Sequence, residues 1–500
     1  MSGAGTSSGI DRRSFFKILA TSGAAAATAG CNAPAGQLLS YVVPPENVVP
    51  GVASWFATVC RECPAGCGVI ARNREGRVVK LEGNPDHPVN GGRLCIRGQA
   101  ALQGLYHPDR FRGALAQGKP VKWDEAEKQL ADRLGALVKG GQGSRIALVT
   151  GIESGSVARL MDRFTEALGT RPRVAWEPIG YEALRAANRA TFGRDAIPRY
   201  AIDEASYLLS FGADFLETWL NPVGYAVDFA SMHALEHGRT GTAVQIEPRL
   251  SLTAANADEW VQNAPGTEGL LALAMLRAIL EAGGGPAAGP ERALLEAAAR
   301  SVELPAVAKA SGVSEATITR VAQAFAASRG GLAIGGGVAA SGVNATETLV
   351  AINLLNLAVG AIGTRVRFGG ESAFGAASPY ADMAALIAAM GRGEVEVLIL
   401  GDVNPVYALP PKSGFVEALA KVALVVSLAN LPSETTARAG LVLPALHSLE
   451  SWGDYVSESG VSGLMQPAMG PVVMGGKPVE GKSVADILLS VGRQALGEEP

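Results

Sequence analysis

Three of the five cysteines in this chain lie within eight residues of one another. Cys60, Cys63 and Cys67 are separated by two and three residues, and Cys95 follows after a gap of 27. Thiolates are the ligands of iron-sulfur clusters, and three cysteines in a tight loop with a fourth returning from afar match a cubane 4Fe-4S cluster. Gly66 lets the backbone curl around the sulfurs. The spacing therefore predicts one 4Fe-4S cluster on these four cysteines.

Two other uses of four cysteines compete with the cluster. Two disulfides are one alternative, but pairs so close in a single loop would close strained small rings. A structural zinc ion is the other, although intervals of two and then three residues are more typical of a cluster. The spacing favours the cluster over both.

The residues between the third and fourth cysteines predict a β-hairpin. Side chains alternate along residues 68–83 on both sides of a Glu-Gly pair, and the proline-containing loop 84–88 returns the chain to Cys95. Arg97 comes two residues after that cysteine. A cation at this point is expected to raise the reduction potential of the cluster and to lie on the path of the electrons. The alternative is a solvated surface arginine.

The overall composition indicates an α/β protein with a large core. The chain has 500 residues, of which 48% are hydrophobic and 18% charged, with 62 glycines. This length predicts two or three domains. The formal net charge of −4 offers no basic patch for nucleic acid, so we expect no nucleic-acid partner.

The N-terminal residues predict export from the cytoplasm. Arg12 and Arg13 precede a modestly apolar run over residues 18–30, which is the pattern of a twin-arginine signal. The alternative is a chance pair of arginines before an alanine-rich helix. The stretch from Thr28 to Cys31 resembles a lipoprotein cleavage box, so Cys31 is a candidate lipid anchor, with a retained leader or ordinary cleavage as alternatives. We expect a periplasmic protein, or one on the outer face of the cytoplasmic membrane.

No later window is expected to span a bilayer. Residues 349–362 are the nearest candidate, but their length and their asparagines indicate a buried helix. Membrane contact is therefore expected through a partner or through a lipidated N-terminus.

Six short apolar runs predict buried parallel strands. Each ends in Gly, Asn, Pro or an acidic residue, and alanine- and leucine-rich stretches at helical spacing lie between them, which favours doubly wound α/β domains. Ligands of such domains bind at the carboxyl ends of the strands. Residues 335–337 are three consecutive glycines that suit a nucleotide-like cofactor or simply close a sheet. The polar residues expected at these strand ends are Asp214, Glu247, Asp402 and Asn404. For Asp402 and Asn404, ordinary turn chemistry is the alternative role.

Longer motifs extend the argument from the cysteines to most of the chain. The stretches "REGRVVKLEGNPDHPVN", "LCIRGQAALQGLYHPDRFRGAL", "SYLLSFGADFLETW", "VLILGDVNPVYALP" and "LVLPALHSLESWGDY" resemble the molybdopterin oxidoreductases of the dimethyl sulfoxide reductase superfamily. The resemblance covers about residues 55 to 475. It implies a small N-terminal iron-sulfur domain with β-hairpins, followed by doubly wound α/β domains.

The resemblance also implies a division of the chain into parts. The expected parts are a leader and linker (1–50), a 4Fe-4S domain (51–115), a molybdopterin-oxidoreductase-like α/β domain (116–144 with 335–490) and a second, Rossmann-like α/β domain (145–334). In the family, a C-terminal β-barrel-like domain closes over one pterin, and by the same resemblance it is expected to begin near residue 500, where the printed sequence ends.

The expected molybdenum ligand is where this sequence departs from the family. Catalytic members hold the metal through Cys, selenocysteine, Ser or Asp ahead of the first pterin loop, and here that segment is "VAWEPIGYEALRAANRATFG". Glu177 is its only hard anionic candidate, with a structural partner for Arg185 or a surface carboxylate as the alternative roles. We therefore expect one 4Fe-4S cluster and doubt that a molybdopterin guanine dinucleotide is bound. The alternative is an active molybdenum-bis(pterin) oxidoreductase acting on a sulfur species or an inorganic oxyanion.

One branch of the family resembles this pattern most closely. Alternative complex III and the menaquinone reductase complexes contain a molybdopterin-oxidoreductase-like subunit without molybdenum, and "LESWGDYVSESGVSGLMQP" is similar to that branch or to polysulfide-reductase-type enzymes. The resemblance implies an electron-transfer subunit of a quinone-linked respiratory complex. Its implied partners are a multi-cluster ferredoxin-like subunit, a quinone-binding integral membrane subunit and c-type cytochrome subunits.

Overall fold

The six apolar runs form the central strands of two parallel sheets. The computed structural model describes residues 49–235, 240–457 and 460–498. Nearly every side chain on these strands is buried, as expected for strands that helices cover on both faces. The predicted strands are confirmed at Ile146–Thr150, Tyr207–Phe211, Thr242–Ile246, Gly331–Gly335, Val397–Leu400 and Leu424–Ser427.

The larger of these sheets has seven strands. Five of its strands, counted from Leu441–Val442, are joined by four parallel pairings, and two short antiparallel strands extend one edge. In spatial order its strands are Lys119–Pro120, Leu115–Ala116, Leu441–Val442, Leu424–Ser427, Val397–Leu400, Ile146–Thr150 and Val174–Ala175.

The smaller sheet has four parallel strands and the largest hydrophobic core. Large aromatic side chains such as Phe211, Trp219 and Phe325 are fully buried around it. In spatial order its strands are Glu259–Val261, Thr242–Ile246, Tyr207–Phe211 and Gly331–Gly335.

Helices fill the connections between the strands. The predicted buried helix is confirmed at Ala345–Ala358, where Asn356 exchanges two hydrogen bonds with the backbone of Ala333. The α-helices of the described residues are Ile96–Leu105, Trp123–Lys139, Gly155–Ala167, Glu182–Phe192, Pro222–Met232, Leu252–Asn256, Glu268–Glu281, Pro290–Ala299, Leu304–Ser311, Glu315–Ala327, Ala345–Ala358, Tyr380–Gly391, Pro405–Ala408, Phe415–Leu419 and Val484–Leu496. Three two-stranded ribbons complete the fold: Arg199–Tyr200 with Val366–Arg367, Gly453–Val456 with Ser462–Met465, and Val473–Met474 with Lys477–Pro478.

A three-stranded antiparallel sheet precedes the α/β part, and we call it the N-terminal sheet. Its strands are Ala53–Val59, Gly68–Arg74 and Arg77–Gly83. Glu75 and Gly76 form the turn of the predicted hairpin, with φ angles of 52° and 82°. Positive φ at both central residues is typical of the type I′ turn, whose twist matches that of the flanking strands.

The sheets divide the chain differently from the expected boundary at residue 145. Ile146–Thr150 pairs with Val397–Leu400, so this strand lies in the seven-stranded sheet and not in the second α/β domain. Val174–Ala175 extends the same sheet. The strands of the second domain begin only at Tyr207–Phe211. Local sequence pattern reveals a strand, but not the distant strand with which it pairs.

One segment corrects the expectation that no later window is long and apolar enough to cross a membrane. Residues 373–391 meet that criterion by length and composition, with a mean hydropathy of 1.2. The α-helix within them, Tyr380–Gly391, has 12 residues and buries Met383 and Met390 completely. Twelve residues of helix reach only about 18 Å, which is less than the roughly 30 Å of a bilayer core. The helix is therefore too short to cross a bilayer core, and its buried methionines pack into a hydrophobic core of the protein.

Candidate cluster site and the adjoining cavity

The N-terminal sheet brings the four predicted cysteine ligands together. Cys60 follows the first strand and Cys67 precedes the second, and the Cys60 backbone N–H donates to the Cys67 carbonyl at 2.8 Å. Cys63 and Cys95 join them in one packed group with Ala65. Cys67 is buried and the other three are half-buried. The predicted ligand set is thus assembled around one point of the fold.

The same cysteines are free thiols, which does not support the disulfide alternative. Within the described ranges, no group of three or more His, Cys, Asp or Glu side chains is arranged to hold a single metal ion. A cubane separates its four thiolates more widely than one zinc ion does, because each thiolate binds a different iron.

Glycines at two positions let other residues approach the cysteine loop closely. Gly66 has a φ of +62°, and a Cβ there would lie 2.5 Å from the ring of Tyr455. A Cβ on Gly68 would lie 2.3 Å from the ring of His87. Asn90 bonds both the N–H and the carbonyl of Gly68, each at 2.9 Å. The loop is therefore fixed from three sides, as a rigid metal site requires.

The thiols are held in surroundings that favour a bound cation. Burial raises the pKa of Cys60 to about 12, and the backbone N–H of Glu62 opposes that shift. Burial also raises the pKa of Cys63, and the N–H of Ala65 opposes it. If iron took the place of the thiol protons, the two N–H donors would stabilise the resulting thiolates. The donor set therefore fits a 4Fe-4S cluster.

The fourth cysteine lies at the positive end of a helix. Cys95 is the N-cap of Ile96–Leu105, whose first turn contains no acidic residue. The partial positive charge of a helix N-terminus stabilises a thiolate. Arg97 lies in the same turn and is exposed. Burial raises the pKa values of Cys63 and Glu177, and the charge of Arg97 opposes both shifts, so the predicted cation is near the ligands.

A cavity of about 440 Å³ adjoins the cysteine loop. Cys63 and Pro64 form part of one wall. Gly151, Asp402 and Leu428 form another, and each lies just beyond the carboxyl end of a parallel strand of the seven-stranded sheet. Ligands of open α/β sheets bind at this edge. Whatever occupies the cavity lies beside the cysteines.

The lining of this cavity is strongly acidic. Burial raises the pKa values of Glu153 and Asp402, while the positive charge of Arg61 opposes both shifts. Asp402 is surrounded by protein on most sides, yet its side chain remains accessible from the cavity. Among the described residues, Arg61 is the only Lys or Arg in the lining, and the acidic residues there are Glu62, Glu153, Glu177, Asp402 and Asp454.

Arg61 connects the cysteine loop to the cavity wall. Its guanidinium lies 2.6 Å from the Glu153 carboxylate and 3.9 Å above the ring of Tyr455. The Tyr455 hydroxyl donates to the Pro64 carbonyl at 2.8 Å. This network was not predicted from the sequence, although the position of Arg61 between Cys60 and Cys63 indicates a cation close to the ligands.

The polar residues predicted at the strand ends have different fates. Asp214 lines a second cavity of about 520 Å³ at the carboxyl edge of the four-stranded sheet, where Arg249 approaches it at 3.9 Å. Glu247 is fully buried and accepts from the Ser251 N–H. Asn404 donates to Glu434 and accepts from the Thr435 hydroxyl, so its side chain joins two distant loops.

Glu177 lines the first cavity. It does not pair with Arg185, so the alternative role of a structural partner for that arginine is wrong. Arg185 instead pairs with Asp195 at 3.0 Å and donates to the Ala377 carbonyl. The Ile179 N–H donates to the Glu177 carboxylate at 3.4 Å.

Comparisons with known proteins now define the class. The family model described as molybdopterin oxidoreductase Fe4S4 domain matches residues 53–107, and the model described as molybdopterin oxidoreductase matches residues 115–475. The chain therefore belongs to the molybdopterin oxidoreductase family and carries its Fe4S4 domain.

Individual relatives place the chain within that family. It is 29% identical to the menaquinone reductase, molybdopterin-binding-like subunit, of Nitratidesulfovibrio vulgaris, over 97% of this chain and 72% of that protein. It is 30% identical to the molybdopterin-containing subunit of the arsenate respiratory reductase of a Shewanella species, over 47% of this chain and 28% of that one. Among solved structures, acetylene hydratase from Pelobacter acetylenicus shares the fold, with a TM-score of 0.71 at 17% identity over 89% of this chain and 69% of that one.

The two cofactors associated with this family fit the chain unequally. The cysteine loop offers four sulfurs and backbone donors to a cluster. A molybdopterin dinucleotide carries a pyrophosphate and needs cations or N–H donors. The cavity beside the cysteines presents five acidic side chains and one arginine that is already paired. An anionic pterin nucleotide does not fit that lining.

Proposed function

We propose that this chain is an electron-transfer subunit of an exported, membrane-associated, quinone-linked respiratory complex, with one 4Fe-4S cluster and no molybdenum. One observation carries the proposal: the four cysteines form one packed group, and one of them, Cys63, lines a cavity whose described lining is acidic. The group of four cysteines supports electron transfer, and the acidic lining of the cavity disfavours a molybdenum-pterin centre.

The residues of the chain have separate roles in this function. A 4Fe-4S cluster supplies reversible electron transfer when bound. Cys60, Cys63, Cys67 and Cys95 hold it as thiolates. The N–H groups that donate to the sulfurs and the positive end of Ile96–Leu105 reduce the electrostatic cost of added negative charge. Arg97 adds a full positive charge nearby and so favours the reduced state.

The surrounding complex is proposed on the basis of the relatives and the leader. The Nitratidesulfovibrio relative is named as a subunit of a menaquinone reductase, which supports a quinone-linked assembly. We propose a multi-cluster ferredoxin-like subunit, a quinone-binding membrane subunit and c-type cytochrome subunits as partners. Export by the twin-arginine route and anchoring at Cys31 belong to the same proposal, and both fall on residues outside the described ranges.

Metal analysis of the purified full-length protein tests the proposal directly. We expect about four iron atoms per chain, no stoichiometric molybdenum or tungsten, and a reduced-state EPR signal of one cluster. One molybdenum per chain would overturn the proposal and support the alternative of an active molybdenum-bis(pterin) oxidoreductase. The match of residues 115–475 to the molybdopterin oxidoreductase model favours that alternative.

Two matched cysteine substitutions, one inside and one outside the proposed ligand set, test the assignment of the ligands. Cys63→Ser is expected to abolish the EPR signal, because the cluster loses one of its four thiolates. Cys31→Ser makes the same chemical change outside the ligand set and is expected to keep the signal while changing membrane association. An unchanged spectrum in Cys63→Ser would contradict the ligand assignment. Unchanged membrane association in Cys31→Ser would contradict the anchor.

A further inference from the structure

The N-terminal sheet has one face buried against the protein and one face exposed. Phe56, Ala71 and Leu81 are paired across its three strands and pack into a hydrophobic core. Neighbouring residues on a strand point to opposite faces. The next row, Trp55 paired with Arg72 and Arg72 paired with Lys80, therefore lies on the other face.

This outer face combines an exposed aromatic ring with cations. Trp55 is 56% exposed, and the Arg72 guanidinium lies 5.6 Å from its ring centre. Lys80 is exposed, with Glu82 at 3.5 Å, and Arg74 extends the face along its strand. Residues 53–107 contain seven Lys and Arg against four Asp and Glu, whereas the whole chain has a net charge of −4. The positive charge is thus concentrated on the part of the chain that holds the cysteines.

The outer face is also close to the cysteines along the chain. Trp55 is the third residue of the first strand and Cys60 directly follows that strand, so the two are about 17 Å apart along the extended chain. A protein bound at Trp55 therefore approaches the cluster site. A ring with flanking arginines and lysines is the composition of a protein-binding surface.

We propose that the outer face of the N-terminal sheet, formed by Trp55, Arg72, Arg74 and Lys80, docks the acidic surface of an electron-carrying partner protein. This proposal rests on the proposed function, because an electron-transfer subunit needs a partner near its cluster. Charge complementarity steers the encounter, and the indole provides the apolar contact. A lipid surface or a second copy of this chain satisfies the charges equally well, but neither adds a carrier that exchanges electrons with the cluster.

The test uses the affinity-tagged full-length chain, purified with its complex from its native host. The variants are Lys80→Glu and Trp55→Ala, both at exposed positions. Lys128→Glu is the matched control, because Lys128 is also an exposed lysine with an acidic partner, Asp132 at 2.9 Å. The readouts are the cofactor-bearing partner recovered per chain and the EPR signal of this chain's own cluster.

A carbodiimide cross-link gives an independent measurement. This reagent joins an amine directly to a carboxylate, so Lys80 in the unmodified complex is expected to link to an Asp or Glu of a cofactor-bearing subunit. Lys128 is expected to give no such link. Mass spectrometry of the linked peptides identifies both ends.

The expected outcome is at least about a tenfold loss of partner in Lys80→Glu, a smaller loss in Trp55→Ala and none in Lys128→Glu, with the cluster signal intact in all three. Full retention of partner in both variants would overturn the proposal. So would a Lys80 cross-link to a second copy, or a variant that keeps its partner but loses binding to phosphatidylglycerol vesicles. Failure of the proposed function is distinct, because it appears as absence of the cluster signal in the unmodified protein.

Discussion

The cysteine loop and the cavity beside it share a wall but handle charge in opposite ways. In the loop, four groups that become negative meet N–H donors, a helix N-terminus and Arg97. In the cavity, five carboxylic side chains meet one arginine, which is already paired with Glu153. The loop therefore suits a cofactor whose metal ions neutralise thiolates, whereas the described lining of the cavity offers an anionic ligand little positive charge.

This difference shows that the position of a cavity in the fold and the charge of its lining are set by different parts of the sequence. The parallel sheet still presents the carboxyl ends of its strands to the cavity, as the fold demands. The charges placed at those ends decide what the cavity accepts. The fold therefore identifies the position of a site, while the side chains identify its ligand.

The largest expected effect comes from breaking a buried ion pair between the end of the helix that begins at Cys95 and a loop whose residues Ser448 and Ser451 line the cavity. Arg110 and Glu450 are completely buried and form two hydrogen bonds, at 3.1 and 2.7 Å. Arg110 also donates to the Leu105 carbonyl at the end of the helix that begins at Cys95. Glu450→Gln is expected to cost about 3–5 kcal/mol of unfolding free energy, because it leaves Arg110 as a buried charge without a counter-charge. Chemical denaturation measures this cost.

The double variant Arg110→Met with Glu450→Gln is the control for that prediction. It removes both charges and is expected to recover much of the lost stability. A double variant as unstable as the single one would show that packing, rather than charge, dominates at this junction.

The next effect breaks only the cysteine loop. Gly66→Ala is expected to cost about 2–4 kcal/mol, because the residue has a positive φ and the new Cβ would meet the ring of Tyr455. The iron content is expected to fall in parallel. Gly76→Ala is the matched control, since Gly76 has a φ of +82° with nothing within 4 Å of the added Cβ, and its cost is about 1 kcal/mol. Equal costs for both variants would contradict the tight contact.

Much of the fold could be predicted from short patterns in the sequence. Runs of four or five apolar residues mark strands such as Ile146–Thr150 because a strand covered on both faces has no solvent side. The pairing of that strand with Val397–Leu400 could not be predicted, since the partners are about 250 residues apart and both are simply apolar. The misplaced domain boundary at residue 145 follows from this limit.

The candidate site divides in the same way. The cysteines could be identified because their spacing is itself the chemical signal. The acidic lining could not, because Glu153 and Asp402 follow different strands and meet only when the sheet forms. Arg61 pairs with a residue 92 positions away, which no local pattern records.

A smaller effect is expected at His447, which lies between the cavity-lining residues Leu446 and Ser448. Burial lowers the pKa of this imidazole to about 4, from an ordinary value of 6.5, although Glu450 opposes the shift. Between these two pH values the unfolded chain binds a proton that the folded protein does not. Stability is therefore expected to fall as the pH drops from about 6.5 to 4, by on the order of 2 kcal/mol from this residue.

His447→Asn is expected to remove that part of the pH dependence, as measured by denaturation at pH 7, 5.5 and 4.5. His107→Asn is the matched control. Both imidazoles accept a hydrogen bond at 3.2 Å from the backbone N–H two residues later in the chain, but the bond at His107 is exposed to solvent. An unchanged pH profile in His447→Asn would mean that the imidazole is accessible to protons.

The smallest expected effect compares two carboxylates that line the same cavity. Burial raises the pKa of Asp402 above its ordinary 3.8, so the folded protein disfavours the ionised form at neutral pH. Asp402→Asn is expected to stabilise the protein at pH 7, by less than about 1 kcal/mol because the cavity admits water. The gain is expected to shrink as the pH falls and Asp402 becomes protonated in the folded state. Asp454→Asn is expected to have the opposite sign, since that carboxylate accepts from the Ser156 N–H at 2.9 Å in the first turn of Gly155–Ala167. Thermal unfolding of both variants across pH measures the contrast. Equal destabilisation by the two substitutions would show that the Asp402 carboxylate makes stabilising hydrogen bonds, and that its ionised form does not destabilise the folded protein.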